Sequence, residues 1–192
     1  GAELISGSGA TAVFIMEMAI PFGVPFAGVY SVGNSAQTGV EDILEYLDYT
    51  YYEGKSSRIK LLYIESIRNP QKLLKHASSL VAKGCHIAAI KAGCSEAGSR
   101  AASSHTGALA GSDMAYDALM HKAGIIRCGS RSELVAVASV LMHKMPAGKR
   151  MGIITHAGGP AVMLTDVLSK AGIEVPAFSG PKTEELKNRL YP

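Results

Sequence analysis

The feature that most constrains this 192-residue chain is an alternation of brief apolar runs with amphipathic stretches of helical period. Residues 2–5, 26–31, 59–64, 86–91 and 125–128 are short, rich in branched or aromatic side chains, and bounded by Gly, Pro or Ser. Such runs predict strands buried on both faces, as parallel strands are. Between them, residues 10–20, 40–47, 70–82, 112–123 and 133–143 show helical spacing; in the third, Leu73, Leu74, Ala77, Leu80 and Val81 mark one face. Asn69-Pro70 and Ser112-Asp113 read as helix starts, while Gly84 and Gly124 stand where C-terminal glycines belong. Helices that alternate with strands in this way cover both sides of an open parallel sheet.

The pattern predicts an α/β, flavodoxin-like parallel sheet over residues 1–144, followed by the start of a second similar α/β domain. Residues 145–150 form a polar linker containing Pro and Gly. Beyond it come a strand over 151–155, a helix over 160–170, a strand over 173–177 and a helix over 181–190. An ungapped internal repeat links the two units. Gly9-Ala10-Thr11-Ala12-Val13 lines up with Gly158-Gly159-Pro160-Ala161-Val162, then Glu17 with Asp166, Gly23 with Gly172 and Phe26 with Val175. Two readings fit this register. Any two strand–turn–helix units look alike, or two related domains each offer a helix N-terminus at the sheet edge where α/β folds bind ligands. The first strand begins without a preceding turn and the last helical pattern stops abruptly, so both ends read as cut and the domain over 151–192 as truncated.

Composition narrows the function. Apolar residues make up 47% of the chain and charged residues 18%, the balance of a globular protein with a sizeable core. The formal charge is +3 and the basic residues are scattered, with Lys149-Arg150 the only adjacent pair, which leaves no electrostatic footprint for nucleic acid. Cys85, Cys94 and Cys128 form no CxxC pair, which argues against a disulfide framework or a zinc site and fits a reducing cytoplasm. The apolar stretch near the start is interrupted by Glu17, Pro21 and Gly23, so it predicts neither a membrane span nor a signal peptide.

Ser6-Gly7-Ser8-Gly9-Ala10-Thr11-Ala12 fits GxGxxA directly after a strand. Free N–H groups and the helix dipole favour an anion at such a turn, the dipole by about 0.3–1 kcal/mol. A nicotinamide-binding fold would want an acidic residue closing the second strand, but Tyr30-Ser31-Val32-Gly33-Asn34 has none, and the next carboxylate is Glu41. A phosphate or acyl-phosphate site and a purely structural tight turn both stay open. Thr155-His156-Ala157-Gly158-Gly159-Pro160 repeats the arrangement, with Pro160 suited to a first helical turn.

Residues 91–112, KAGCSEAGSRAASSHTGALAGS, are dominated by Gly, Ala and Ser around a single histidine, His105. The run is too poor in large apolar groups to pack a core and too long for a plain connection, so it reads as a functional loop. A neutral imidazole flanked by Ser103, Ser104, Thr106 and Gly107 is an unhindered nucleophile toward an activated phosphoryl group. By contrast His76, His121 and His143 fall in helical stretches and read as surface residues, and His86 begins a strand. A phosphorylated imidazole needs an acceptor for its other nitrogen. Glu65, just after the apolar run 61–64, is the candidate; the alternative is a salt bridge from Glu65 to Arg68 or Arg100.

The string 101–112, AASSHTGALAGS, resembles the phosphohistidine loop of the ADP-forming acetyl-CoA synthetases and their relatives in the succinyl-CoA synthetase superfamily. LLYIESI at 61–67 resembles the strand whose glutamate contacts that histidine. Ser6-Gly7-Ser8-Gly9-Ala10 and Gly33-Asn34 resemble the first strand–turn–helix and the turn that follows it, and 153–160 resembles the start of a further domain. The resemblance implies an NDP-forming acyl-CoA synthetase, an acid–thiol ligase. Acyl-CoA and phosphate would give acyl phosphate and CoA, the phosphoryl group would pass to His105, and phosphohistidine would phosphorylate ADP or GDP. The implied catalytic residues are His105 and Glu65, and the implied phosphate-binding residues are Ser6, Gly7, Ser8, Gly9, Ala10, Ser104, Gly158 and Gly159. CoA and ATP/ADP with Mg²⁺ would be bound mainly outside this chain, by a CoA-binding Rossmann domain and an ATP-grasp domain or subunit. The substrate would be a small carboxylic acid and the whole a cytoplasmic oligomer, so this piece alone would accept phosphoryl without completing turnover. His156 departs from the family's pattern, which places Asn there. Two other classes remain: a non-catalytic regulatory module, for example attached to a protein acetyltransferase, and a nicotinamide-dependent dehydrogenase. The presence of His105 counts against the first.

Overall fold

The computed structural model describes residues 1–95, 97–98, 100, 112–144 and 146–189. The chain divides into two compact units, Gly1–Lys144 and Met145–Pro192. In the first, β1 (Ala2–Ser6), β2 (Phe26–Ser31), β3 (Ile59–Ile64), β4 (His86–Lys91) and β5 (Ile125–Cys128) form one sheet. Every pairing is parallel and the order is β2-β1-β3-β4-β5, the flavodoxin-like arrangement. The connecting helices are α1 (Gly9–Ala19), α2 (Val40–Tyr49), α3 (Pro70–Ala82), α4 (Asp113–Ala123) and α5 (Arg131–Leu141).

Side-chain alternation along the strands feeds two separate cores. Ile5, Leu62, Ile64, Ile87 and Ala89 meet Leu44 of α2, Leu73, Ala77 and Leu80 of α3, and Met120 of α4. On the other face Leu4, Leu61 and Ala88 meet Ala12 and Ile15 of α1 and Leu134, Val135 and Ala138 of α5. This is why β1, β3 and β4 read as near-continuous apolar runs, both faces being covered; the edge strand β2, expected to be buried on both faces, is instead exposed at every second residue. The helices begin where local chemistry satisfies their free N–H groups. The Asn69 side chain accepts from Lys72 N at 3.0 Å ahead of Pro70. Helix α5 starts at Arg131 rather than at 133, because Ser130 accepts from Glu133 N while the Glu133 carboxylate accepts from Gly129 N at 2.7 Å. Ser130-Arg131-Ser132-Glu133 is thus a capping signal that moves the boundary two residues back.

His76 corrects the sequence reading. It is not a surface residue but 1% exposed, between α2 and α3. Its Nδ1 lies 2.8 Å from Asp48 Oδ2, and its Nε2 lies 3.3 Å from Glu45 Oε1. Asp48 also accepts from Ser79 Oγ and Lys83 Nζ, each at 2.7 Å. Burial opposes ionisation of Asp48, but the bonds from Lys83, His76 and Ser79 outweigh it and hold the carboxyl below its ordinary range. In the middle of the sheet Lys60, 1% exposed, pairs with Glu3 directly across the β1–β3 ladder and donates to Ser57 O at 2.7 Å.

The second unit holds α6 (Gly158–Lys170) and α7 (Pro181–Arg189). The strands expected over 151–155 and 173–177 are not formed. The two segments meet in one parallel bridge, Arg150 with Glu174, made by Met151 N to Glu174 O at 2.9 Å and Glu174 N to Lys149 O at 2.8 Å. An isolated pair of segments has little to stabilise it without further strands, and apolar side chains such as Ile154 and Phe178 stay exposed here. Among the described residues no helix is long and apolar enough to cross a membrane.

The Asp48 cluster makes a prediction. His76→Leu removes one of its partners and should lower the unfolding free energy by about 1–3 kcal/mol in urea denaturation. Because the folded-state pKa of Asp48 is depressed, its contribution is full above the unfolded value near ~4 and fades as pH falls below it. Stability measured from pH 7 to 3 should therefore drop mainly below about pH 4, and Asp48→Asn should flatten that drop.

Candidate functional site

Open α/β sheets bind ligands at the carboxyl ends of the strands, at the point where successive crossovers go to opposite faces. Here that point lies between β1 and β3, since α1 packs in one core and α3 in the other. The Gly7 N–H donates to Tyr63 O at 2.9 Å and closes the turn after β1 onto the end of β3. A Cβ on Gly7 would stand 3.5 Å from Glu65 N and 3.6 Å from Glu65 Cγ, so the half-buried Glu65 leans against the glycine-rich turn. Glycine-turn and carboxylate, far apart in sequence, are thus side by side.

The turn holds itself in shape. Ser6 Oγ donates to Ser8 O at 2.7 Å and accepts from Ser8 N at 3.1 Å, and Ser8 Oγ caps α1 by accepting from Thr11 N at 3.3 Å. The N–H groups of Gly7, Ser8 and Thr11 are therefore committed internally. Those of Gly9 and Ala10, in the first turn of α1, have no acceptor among the described residues. Ser31 Oγ at the end of β2 faces Gly9, 3.6 Å from where a Cβ would be. A cavity of about 530 Å³ continues along the same edge, lined by Tyr30, Ser31, Asn34, Gln37 and Thr38 among others.

Three side chains that the sequence reading did not single out support this edge. Tyr63 packs against the core on the α1 face; burial and then the Glu65 charge push its phenol up. Glu41, 2% exposed, accepts from Arg68 N at 3.1 Å and Asn69 N at 3.0 Å, which fixes the chain just after Glu65. Gly39 makes room for it, since a Cβ there would fall 2.6 Å from Glu41 Oε2. The Arg68 guanidinium is not a partner of Glu65; it donates to Ser35 O at 2.9 Å and Ala36 O at 3.2 Å. Lys91 ends β4 at 9% exposure, and its Nζ donates to Glu65 O at 2.9 Å and to Ala92 O. A buried lysine can be suspected from sequence only where a strand runs unbroken into it, as 86–91 does.

His105 and Ser104 lie outside the described residues. In the second unit Gly158 and Gly159 open α6, with Ala157 before them offering no side-chain cap and open space where either Cβ would be. The aligned glycines match in conformation: Gly9 and Gly158 each begin a helix, and Gly23 and Gly172 have φ of 65° and 74°. His156 is exposed and, with Thr155, Phe178 and Lys187, lines a separate cavity of about 530 Å³. Among the described residues no group of three or more His, Cys, Asp or Glu side chains could hold a metal ion.

A sheet of this order with a glycine turn and a strand-end glutamate at its switch point agrees with sequence comparison: the family described as succinyl-CoA ligase like flavodoxin domain matches residues 1–141. The chain belongs to this family. The succinyl-CoA-ligase-like sequence is 36% identical to the alpha subunit of an acetate–CoA ligase [ADP-forming] II of Pyrococcus furiosus, over 98% of this chain and 40% of that protein. It is also 36% identical to an acetate–CoA ligase [ADP-forming] of Methanocaldococcus jannaschii, over 100% of this chain and 27% of the relative. In structure it resembles acetyl-coenzyme A synthetase 1 of Ca. Korarchaeum cryptofilum in complex with phosphate and ADP, with a TM-score of 0.80 at 28% identity, over 100% of this chain and 41% of that one. The succinyl-CoA-ligase-like chain thus spans well under half the length of these relatives.

Ser8 is the side chain on which α1 starts. Ser8→Ala should cost about 1 kcal/mol of stability, read as a shifted urea midpoint with unchanged slope, while Ser8→Asn should restore most of it.

Proposed function

We propose that this protein takes up and passes on a phosphoryl group at His105 within an ADP-forming acyl-CoA synthetase. The observation that carries the reading is that Glu65 lies beside Gly7, which brings a carboxylate to the same edge as the N–H groups of Gly9 and Ala10, left without an acceptor among the described residues. A helix start that receives an anion and a carboxylate that receives an imidazole N–H are the two things a phosphorylated histidine needs. Ser6, Gly7 and Ser8 shape the cradle, Gly9 and Ala10 donate to phosphate, and Ser104 adds a hydroxyl. Gly158 and Gly159 offer a second anion-binding helix start. The relatives in which acetate–CoA ligase activity is named support the reaction class.

In the forward direction phosphate attacks the thioester carbonyl of acyl-CoA, giving acyl phosphate and CoA thiol. The His105 nitrogen then attacks phosphorus and the carboxylate leaves. ADP finally takes the phosphoryl group, giving ATP and free imidazole. Each step is reversible. Glu65, as acceptor for the second ring nitrogen, fixes the tautomer and offsets the positive charge that develops when the first is phosphorylated. Oriented N–H dipoles act on the transferring oxygens without reorganising, the largest contribution in reactions of this kind. CoA, ADP and the Mg²⁺ that accompanies it are bound by further domains or subunits, namely a CoA-binding Rossmann domain and an ATP-grasp module, and the acid is a small carboxylate. The setting is a cytoplasmic oligomer.

The full-length protein incubated with Mg²⁺ and γ-labelled ATP should acquire acid-labile, base-stable phosphate that His105→Ala abolishes. Label that persists in the variant rejects the assignment. Glu65→Gln should retain the fold and slow phosphorylation at least about tenfold, because the amide no longer fixes the tautomer or offsets the developing imidazolium charge. Unchanged kinetics would remove Glu65 from the mechanism.

A further inference from the structure

Lys91 is a charged side chain buried where burial is costly, and its surroundings are specific. Its Nζ donates to Glu65 O at 2.9 Å, across the β3–β4 boundary, and to the carbonyl of Ala92. The Tyr116 ring of α4 covers it with the ring centre 4.5 Å away. Desolvation pulls its pKa down, while Cys94, Asp113 and Glu65 pull it up and Arg127 opposes them. Arg127 of β5 ties together the chain on both sides of the segment that carries His105, donating to Cys94 Sγ at 3.3 Å and pairing with Asp113 and with Asp117. The groups facing the ammonium are therefore Glu65 after β3, Cys94 after β4, Asp113 and Tyr116 on α4, and Arg127 on β5. Of these, only Glu65 also touches the glycine turn. A structural role would be served as well by an apolar side chain, because a buried ammonium without a full counter-ion adds little to stability.

We propose that Lys91 is a positioning residue for Glu65: its ammonium pins the Glu65 carbonyl and so fixes the place of the carboxylate that receives the imidazole. The role rests on the phosphohistidine reading. Lys91 touches neither phosphate nor substrate; it sets where Glu65 stands.

The test is the initial rate of acid-labile labelling of the full-length protein with γ-labelled ATP for the wild type, Lys91→Met and Lys91→Arg, each with Glu65 intact and with Glu65→Gln. Lys91→Met should slow labelling several-fold with Glu65 intact and add nothing further with Glu65→Gln, because a residue that acts through Glu65 shares its loss. Lys91→Arg keeps the charge but not the fit between two carbonyls, so it should slow labelling several-fold as well. A Lys91→Met loss of the same size in both backgrounds, or a Lys91→Arg rate equal to wild type, overturns the role for Lys91 alone. A wild type that takes up no acid-labile label overturns the phosphohistidine reading and this role with it.

Discussion

The hydrogen bond from Gly7 N–H to Tyr63 O is the junction on which the rest of the site depends. It is made just beyond the last ladder pair, Ser6 with Tyr63, so it extends the parallel register of β1 and β3 by one step into the turn. The turn lies beside Glu65, at a spacing where even a methyl group on Gly7 would meet it at ordinary van der Waals distance. The same step aims the first N–H groups of α1 at the open edge of the sheet. Position, field and acceptor thus follow from one backbone contact between segments about sixty residues apart in sequence.

Around that junction polar side chains act mainly as braces. Ser6 and Ser8 bond within their own turn, Glu41 holds the chain after Glu65, and Lys91 reaches the Glu65 carbonyl from β4. The sheet thus places the site coarsely, and these short bonds set it finely. Such an arrangement suits the proposed phosphoryl transfer, where fixed dipoles stabilise the transferring oxygens without reorganising. The Asp48–His76 cluster does comparable work between α2 and α3, away from the edge, where it binds two helices rather than a ligand.

Much of this could be read from the chain because the strongest signals are local. The runs 26–31, 59–64, 86–91 and 125–128 coincide with β2 to β5; the inner pair β3 and β4 is covered on both faces and needs largely apolar sequence, while the edge strands β2 and β5 are marked by short branched or aromatic runs. Pro70 and Gly124 mark helix ends through backbone properties that depend on no distant partner. Misreadings came from long-range pairing. The helical period puts His76 on the buried stripe of α3 with Leu73, Ala77 and Leu80, but the partner that lets a histidine lie there, Asp48, is 28 residues away and carries no local signal. Lys91 and Tyr63 likewise acquire meaning only once β3, β4 and α1 are assembled. Ser130 and Glu133, by contrast, form a local capping signal that sets the start of α5.

Lys60 and Glu3 have a consequence for folding fidelity. They face each other across β1 and β3, and the lysine is wholly enclosed. Such a pair gains little over two well-packed aliphatics, yet separating its members is expensive. Sliding β1 past β3 by a single residue would strand an ammonium among hydrocarbons and turn every side chain of the strand to the wrong face. Misaligned pairings are therefore disfavoured far more than the correct one is rewarded. The chain carries, within its most apolar layer, an error-checking contact for the alignment of its two central strands.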